Sequence, residues 1–202
     1  MLNFIKKHSY LNFDLGTVLI LFMAIFVFSF AWGLPEKFGY ENGLIENIQL
    51  IVLFVGFYLS CTAKEYKKFF IFVALVISTL LLREINCGRT LFFAVEEKEN
   101  TFYKWKELKY GYLAHPIFGF YIVMILFYFI KNKLLLDVFQ IIKKFCVPLL
   151  SVIGVFLFTV LGIYSESQIH NLVIEEFAEL FIYIIFVQLV WMYSRQKIKL
   201  LS

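Results

Sequence analysis

Residues 69–89 read FFIFVALVISTLLLREINCGR. An apolar run from Phe69 to Leu82 meets Arg83 and Glu84, and Arg89 follows after a short gap. The run is long enough to enter a bilayer, and the charges arrive before the chain is clear of it. Charge at that depth is costly, so such residues pair, face the interior of a bundle or serve a function. The stretch sets two expectations: a membrane helix, and a polar site at its end.

The rest of the chain has the same character. Of its 202 residues 61% are hydrophobic and 20% aromatic, Phe alone occurring 26 times. A soluble domain lies nearer half apolar, so lipid must solvate much of this surface. Cys61, Cys87 and Cys146 show no zinc-like spacing, and no disulfide framework is expected. GxGxxG, P-loop, GxSxG and HExxH signatures are absent, and nothing beyond ordinary lysines suggests nucleic acid.

A membrane-spanning helix takes about 20 apolar residues. On that measure spans fall at Leu15–Leu34, Leu44–Ala63, Phe69–Ile85, His115–Ile130, Val147–Tyr164 and Leu172–Tyr193. The first follows Lys6, Lys7 and His8 but is too long for a signal core, and reads as an uncleaved span. Thr17, Ala24 and Ala31 recur every seven residues, a small-residue stripe suited to helix contact. Glu46, Gln49, Gly56 and Ser60 share one face of the second span, which should look inward. Two amphipathic stretches read as interfacial helices. One lies within Thr90–Leu113, with Phe102, Trp105, Leu108 and Tyr112 on its apolar side; the other is Leu134–Cys146. The expected fold is an all-α bundle of six spans and two interfacial helices, forming one integral membrane domain over residues 1–202.

Charge orients it. With both termini in the cytoplasm, 12 of the 19 Lys and Arg residues lie inside, whereas only Asp14, Glu65 and Asp137 of the 15 Asp and Glu residues do. The basic bias satisfies the positive-inside rule. The acidic bias needs another cause, because Glu46, Glu84, Glu175, Glu176 and Glu179 fall within predicted helices.

This topology brings distant residues to one level. Glu46 and Gln49 open the second span, Arg83, Glu84 and Arg89 close the third, His115 opens the fourth, and His170, Glu175, Glu176 and Glu179 open the sixth. By helical period Glu84 lies on a different face from Arg83. The expected arrangement has Arg83 and Arg89 countering Glu46, Glu175 or Glu179, with acid left in excess. Carboxylates in excess call for a cation or shared protons.

Three readings follow. The first is binding, and passage, of a cation by oxygen ligands from Glu46, Gln49, Glu176 and Glu179. The second is an enzyme at the outer leaflet, whose clustered carboxylates with His115 and His170 act as acid and base or bind a metal, the candidate ligands being Glu176, Glu179 and His170. The third is a structural or sensory subunit whose cluster is an ion-pair network. A chain of this size can self-associate or join another membrane subunit. Asn171 is placed to cap the last span, and Tyr183 reads as packing.

The GLIENIQ stretch around Glu46, the Arg83–Arg89 stretch, and His170-Asn171 before a Glu-rich helix resemble poorly characterised bacterial multi-pass inner-membrane proteins. Those carry an R-E-x-x-x-G/H-K/R motif at a helix end. The resemblance implies a bacterial inner-membrane setting and no particular activity. Cys87 stands where an aromatic is more typical.

Overall fold

The computed structural model describes residues 9–10, 15–93, 102–144 and 147–195. Seven helices of more than one turn run through them. They are α1 (Leu15–Ala31), α2 (Leu44–Cys61), α3 (Lys67–Glu84), α4 (Ala114–Lys131), α5 (Leu134–Lys144), α6 (Leu149–Tyr164) and α7 (Leu172–Ser194). A two-residue parallel ladder pairs Ser9–Tyr10 with Val147–Pro148. Three helical stretches, Glu36–Cys61, Gly111–Lys131 and Leu149–Ile169, are long and apolar enough to cross a membrane.

The last helix is the axis of the bundle. α7 packs against α2, α6 and α1, while α3 packs on α2 and carries α4 and α5. The buried residues of α7, from Val173 to Ser194, are spread around its circumference, as a helix surrounded by others requires. Phe28, Phe158 and Phe181 meet with ring centroids 5.3–6.0 Å apart and join α1, α6 and α7. The expected inward faces are found inward: Thr17, Ala24 and Ala31 on α1, and Glu46, Gln49, Gly56 and Ser60 on α2, are all buried. Outward-facing residues such as Phe22, Phe26, Phe120, Val123 and Phe127 are apolar and exposed.

Contacts between helix ends show that the helices alternate in direction. At one end Arg83 meets Glu179, and Gly39 lies so close to Leu172 and Val173 that a Cβ there would sit 2.8 Å from their backbone. At the other end Arg195 donates to Thr62 at 3.5 Å, Tyr128 donates to the Lys68 carbonyl at 3.4 Å, and the Ser9–Val147 ladder forms.

α5 confirms the second amphipathic helix: Leu134 and Ile141 are buried, and Ile141 packs with Met192 of α7. The first is corrected. A single helical turn, Arg89–Phe92, follows α3, and the segment then folds as two 3₁₀ turns, Trp105–Glu107 and Gly111–Leu113. Gly111 packs on Trp105 so tightly that a Cβ would fall 1.7 Å from its carbonyl oxygen, a compaction that a continuous helix would not allow. Glu96, Glu97 and Glu99 lie outside the described residues, as do Lys6, Lys7 and Cys146.

Gly56 marks the α2–α7 contact. A Cβ there would sit 2.7 Å from Val187 Cγ2, on a β-branched side chain with little freedom to turn away. Gly56→Val is therefore expected to cost about 1–3 kcal/mol by overpacking. Gly119 on α4 has nothing within 4 Å of a Cβ, so Gly119→Ala should be neutral or stabilising. Thermal unfolding of the two variants in detergent, followed by far-UV circular dichroism, checks the contrast.

Candidate functional site

The polar cluster begins where α2 meets α7. Gln49 is fully buried, and its Nε2 donates to the Glu176 carbonyl oxygen at 2.9 Å and to Glu176 Oε2 at 2.8 Å. One turn earlier on the same face, buried Glu46 accepts from the backbone N–H of Asn42. Asn42 holds a left-handed conformation at φ 62°, which Asn tolerates better than most residues, and its side chain donates to the Thr90 carbonyl. Glu46 and Glu176 thus accept from neutral donors, and neither makes an ion pair among the described residues.

The cationic part comes from α3. Arg83 Nη2 pairs with Glu84 Oε1 at 2.9 Å and with Glu179 Oε2 on α7, and its Nε donates to Glu84 at 3.1 Å. Glu84 Oε1 also accepts from the Tyr183 hydroxyl at 2.6 Å. The Glu84 side chain is only 6% exposed, whereas that of Arg83 is 52% exposed. This corrects the helical-wheel placement of Glu84. At the last residue of α3, both side chains turn toward α7 and converge despite the backbone angle between them. Tyr183 is likewise more than packing. It lies one turn past Glu179, a spacing that brings Glu179 to Arg83 and Tyr183 to the adjacent Glu84.

Arg89 does not join this group. The chain reverses through Asn86 (φ 45°), Cys87 (φ 53°) and Gly88 (φ 88°), and carries Arg89 to Glu41, 3.4 Å away. With its amide oxygen turned inward, Asn86 accepts from Arg89 at 2.7 and 3.2 Å. The expected pairing of Arg89 with Glu46, Glu175 or Glu179 is replaced by this local one, because the left-handed turn redirects the side chain. Cys87 is exposed at the tip, although neighbouring groups still push its thiol pKa above the ordinary value by desolvation.

The histidines also stand apart. His115 packs edge-on against Trp105, centroids 6.3 Å apart. His170 is exposed and left-handed at φ 52°, closing the π-turn Ser165–Ile169. Asn171 caps α7 as expected, accepting from Ile174 N–H at 3.1 Å. Glu175 is half-buried in the first turn and makes no ion pair among the described residues. No group of three His, Cys, Asp or Glu side chains is placed to hold a metal ion among the described residues, so Glu176, Glu179 and His170 do not form the expected metal set.

Among the described residues, two buried oxygens near these groups lack a hydrogen-bond partner: Gln49 Oε1 and Thr90 Oγ1. Beside the Arg83–Glu179 pair opens a cavity of about 550 Å³, lined by α3, α6 and α7. Chemically, the site combines one arginine engaged by two carboxylates with two more carboxylates that only neutral groups satisfy.

Removing the Tyr183 hydroxyl leaves a buried carboxylate short of a donor. Tyr183→Phe should lower the unfolding free energy by about 1–3 kcal/mol, and by less on a Glu84→Leu background, where the acceptor is gone. Denaturant unfolding of the single and double variants measures both. Compared with protein-family models, curated proteins and solved structures, the chain matches none.

Proposed function

We propose that this chain is a six-span bacterial inner-membrane protein with both termini in the cytoplasm, and that its outward acidic cluster binds a cation. The six-span reading is supported by the three strongly apolar helical stretches, by the alternation of α1, α3 and α7 among them, and by the inward bias of Lys and Arg.

One observation carries the cation reading. Gln49 Oε1 is buried without a hydrogen-bond partner among the described residues, on a side chain whose amide binds Glu176. Glu46, on the same helix face, accepts from an N–H. Arg83 is already engaged by Glu84 and Glu179. Oxygens of Glu46, Gln49 and Glu176 are the donors a hard cation takes, and a cation there offsets charge that Arg83 does not reach. Toward the middle of the bundle, Leu53, Ile77 and Tyr183 are packed in an apolar cluster. The reading is therefore of an ion bound from one side, and passage would require that cluster to part.

The ion-pair network is a second reading, favoured by the double engagement of Arg83. Thermal unfolding in detergent separates the two. Sodium, potassium, magnesium and calcium chlorides are each compared with choline chloride at equal ionic strength. Cation binding predicts a saturable stabilisation by one of them, approaching about 2.7 kcal/mol at a hundredfold excess over Kd. Glu176→Gln or Gln49→Leu should abolish it. Curves that no cation moves beyond choline leave the structural reading standing.

Topology has its own test. Cys61 and Cys87 are both exposed and sit at opposite ends of the bundle. In single-cysteine variants on intact cells permeabilised only at the outer membrane, an impermeant maleimide should label Cys87 and spare Cys61. Because burial raises the Cys87 thiol pKa and the thiolate is the reactive form, labelling should quicken as pH rises past the usual thiol range.

A further inference from the structure

The cavity between α3, α6 and α7 has a built polarity. Its walls are apolar, formed by residues such as Val76, Leu80, Val152, Val155 and Phe186, and Arg83 and Glu179 line it as well. From Glu179 to Leu189, both lining residues of α7, the groove runs ten residues, or about 15 Å at the α-helical rise. That is half of a hydrocarbon core about 30 Å thick. Arg83 and Glu84 close α3, so the charged mouth lies at the end of that helix.

We infer that this groove holds one acyl chain of a phospholipid with a primary-amine headgroup, its phosphate on Arg83 and its ammonium on Glu179. Charge selects the headgroup. The bonds of Arg83 use Nε and Nη2, leaving two Nη1 donors for phosphate oxygens. Arg83 and Glu179 are 52% and 29% exposed at their side chains, so both can be reached. A headgroup with negative charge alone would meet Glu84 and Glu179 around a single arginine; one bearing both signs satisfies each side. The ammonium needs N–H donors to bond a carboxylate, which a quaternary amine lacks. The inference rests on the membrane placement proposed above and is independent of the cation site.

Native mass spectrometry of the detergent-purified chain provides the test. The protein is titrated with equimolar phosphatidylethanolamine and phosphatidylglycerol of identical acyl chains, and separately with phosphatidylcholine. Phosphatidylethanolamine should be retained about tenfold over either competitor. Arg83→Gln should erase the preference. Because that change also removes an ion pair, Val152→Trp provides a second arm: it fills the groove from a position 49% exposed and leaves the ion pair in place. Loss of selective retention in Val152→Trp is the expected result. Equal retention of all three lipids, preference for phosphatidylglycerol, or selectivity unchanged in Val152→Trp overturns the inference. Each readout is obtained without added metal salts, so failure of the cation reading does not decide it.

Discussion

Arg83 is the interaction on which the polar architecture turns. A guanidinium at the end of an apolar helix cannot sit unpaired beside a bundle core, and its planar fork suits two carboxylates at once. Here it binds Glu84 in its own helix and Glu179 in α7, and Tyr183 adds a hydroxyl to the same Glu84 oxygen. α3 and α7 are thereby fixed in register at one end, beside the groove that both helices line. Gln49 makes the equivalent link from α2 to α7 with neutral groups. Three helices are tied at one level, two of the ties converging on acidic residues of the last helix.

The same arrangement accounts for the imbalance of charge. Arg83 reaches Glu84 and Glu179; Glu41 takes Arg89. Glu46 and Glu176 are left with amide donors. Both carboxylates keep capacity to accept, and among the described residues Gln49 Oε1 next to Glu176 has no partner.

Much of this could be read from the chain because lipid imposes simple rules. The helix bounds follow from apolar length, and the buried stripe on α2 follows from the spacing of Glu46, Gln49, Gly56 and Ser60. The Asn171 cap follows from residue type and position. What escaped the sequence lay where helical period stops applying. Asn86, Cys87 and Gly88 all take positive φ, and no wheel drawn through α3 places Arg89 after such a reversal. Glu84 was misplaced for a related reason: at a helix terminus a long side chain bends toward its partner. The Trp105–Leu113 segment has the amphipathic spacing of a helix, yet its Gly111–Trp105 contact favours tight turns.

The position of α7 has a consequence for how the protein is made. The helix that α1, α2 and α6 all pack against follows all three of them along the chain. Domains gain structure from the N-terminus onward as the chain emerges, but here α1, α2 and α6 are made before the helix that all three pack against. Gln49 and Arg83 are made before their partners on α7, Glu176 and Glu179. Assembly thus waits for α7, and a chain cut short before Leu172 loses the centre of the bundle rather than its edge.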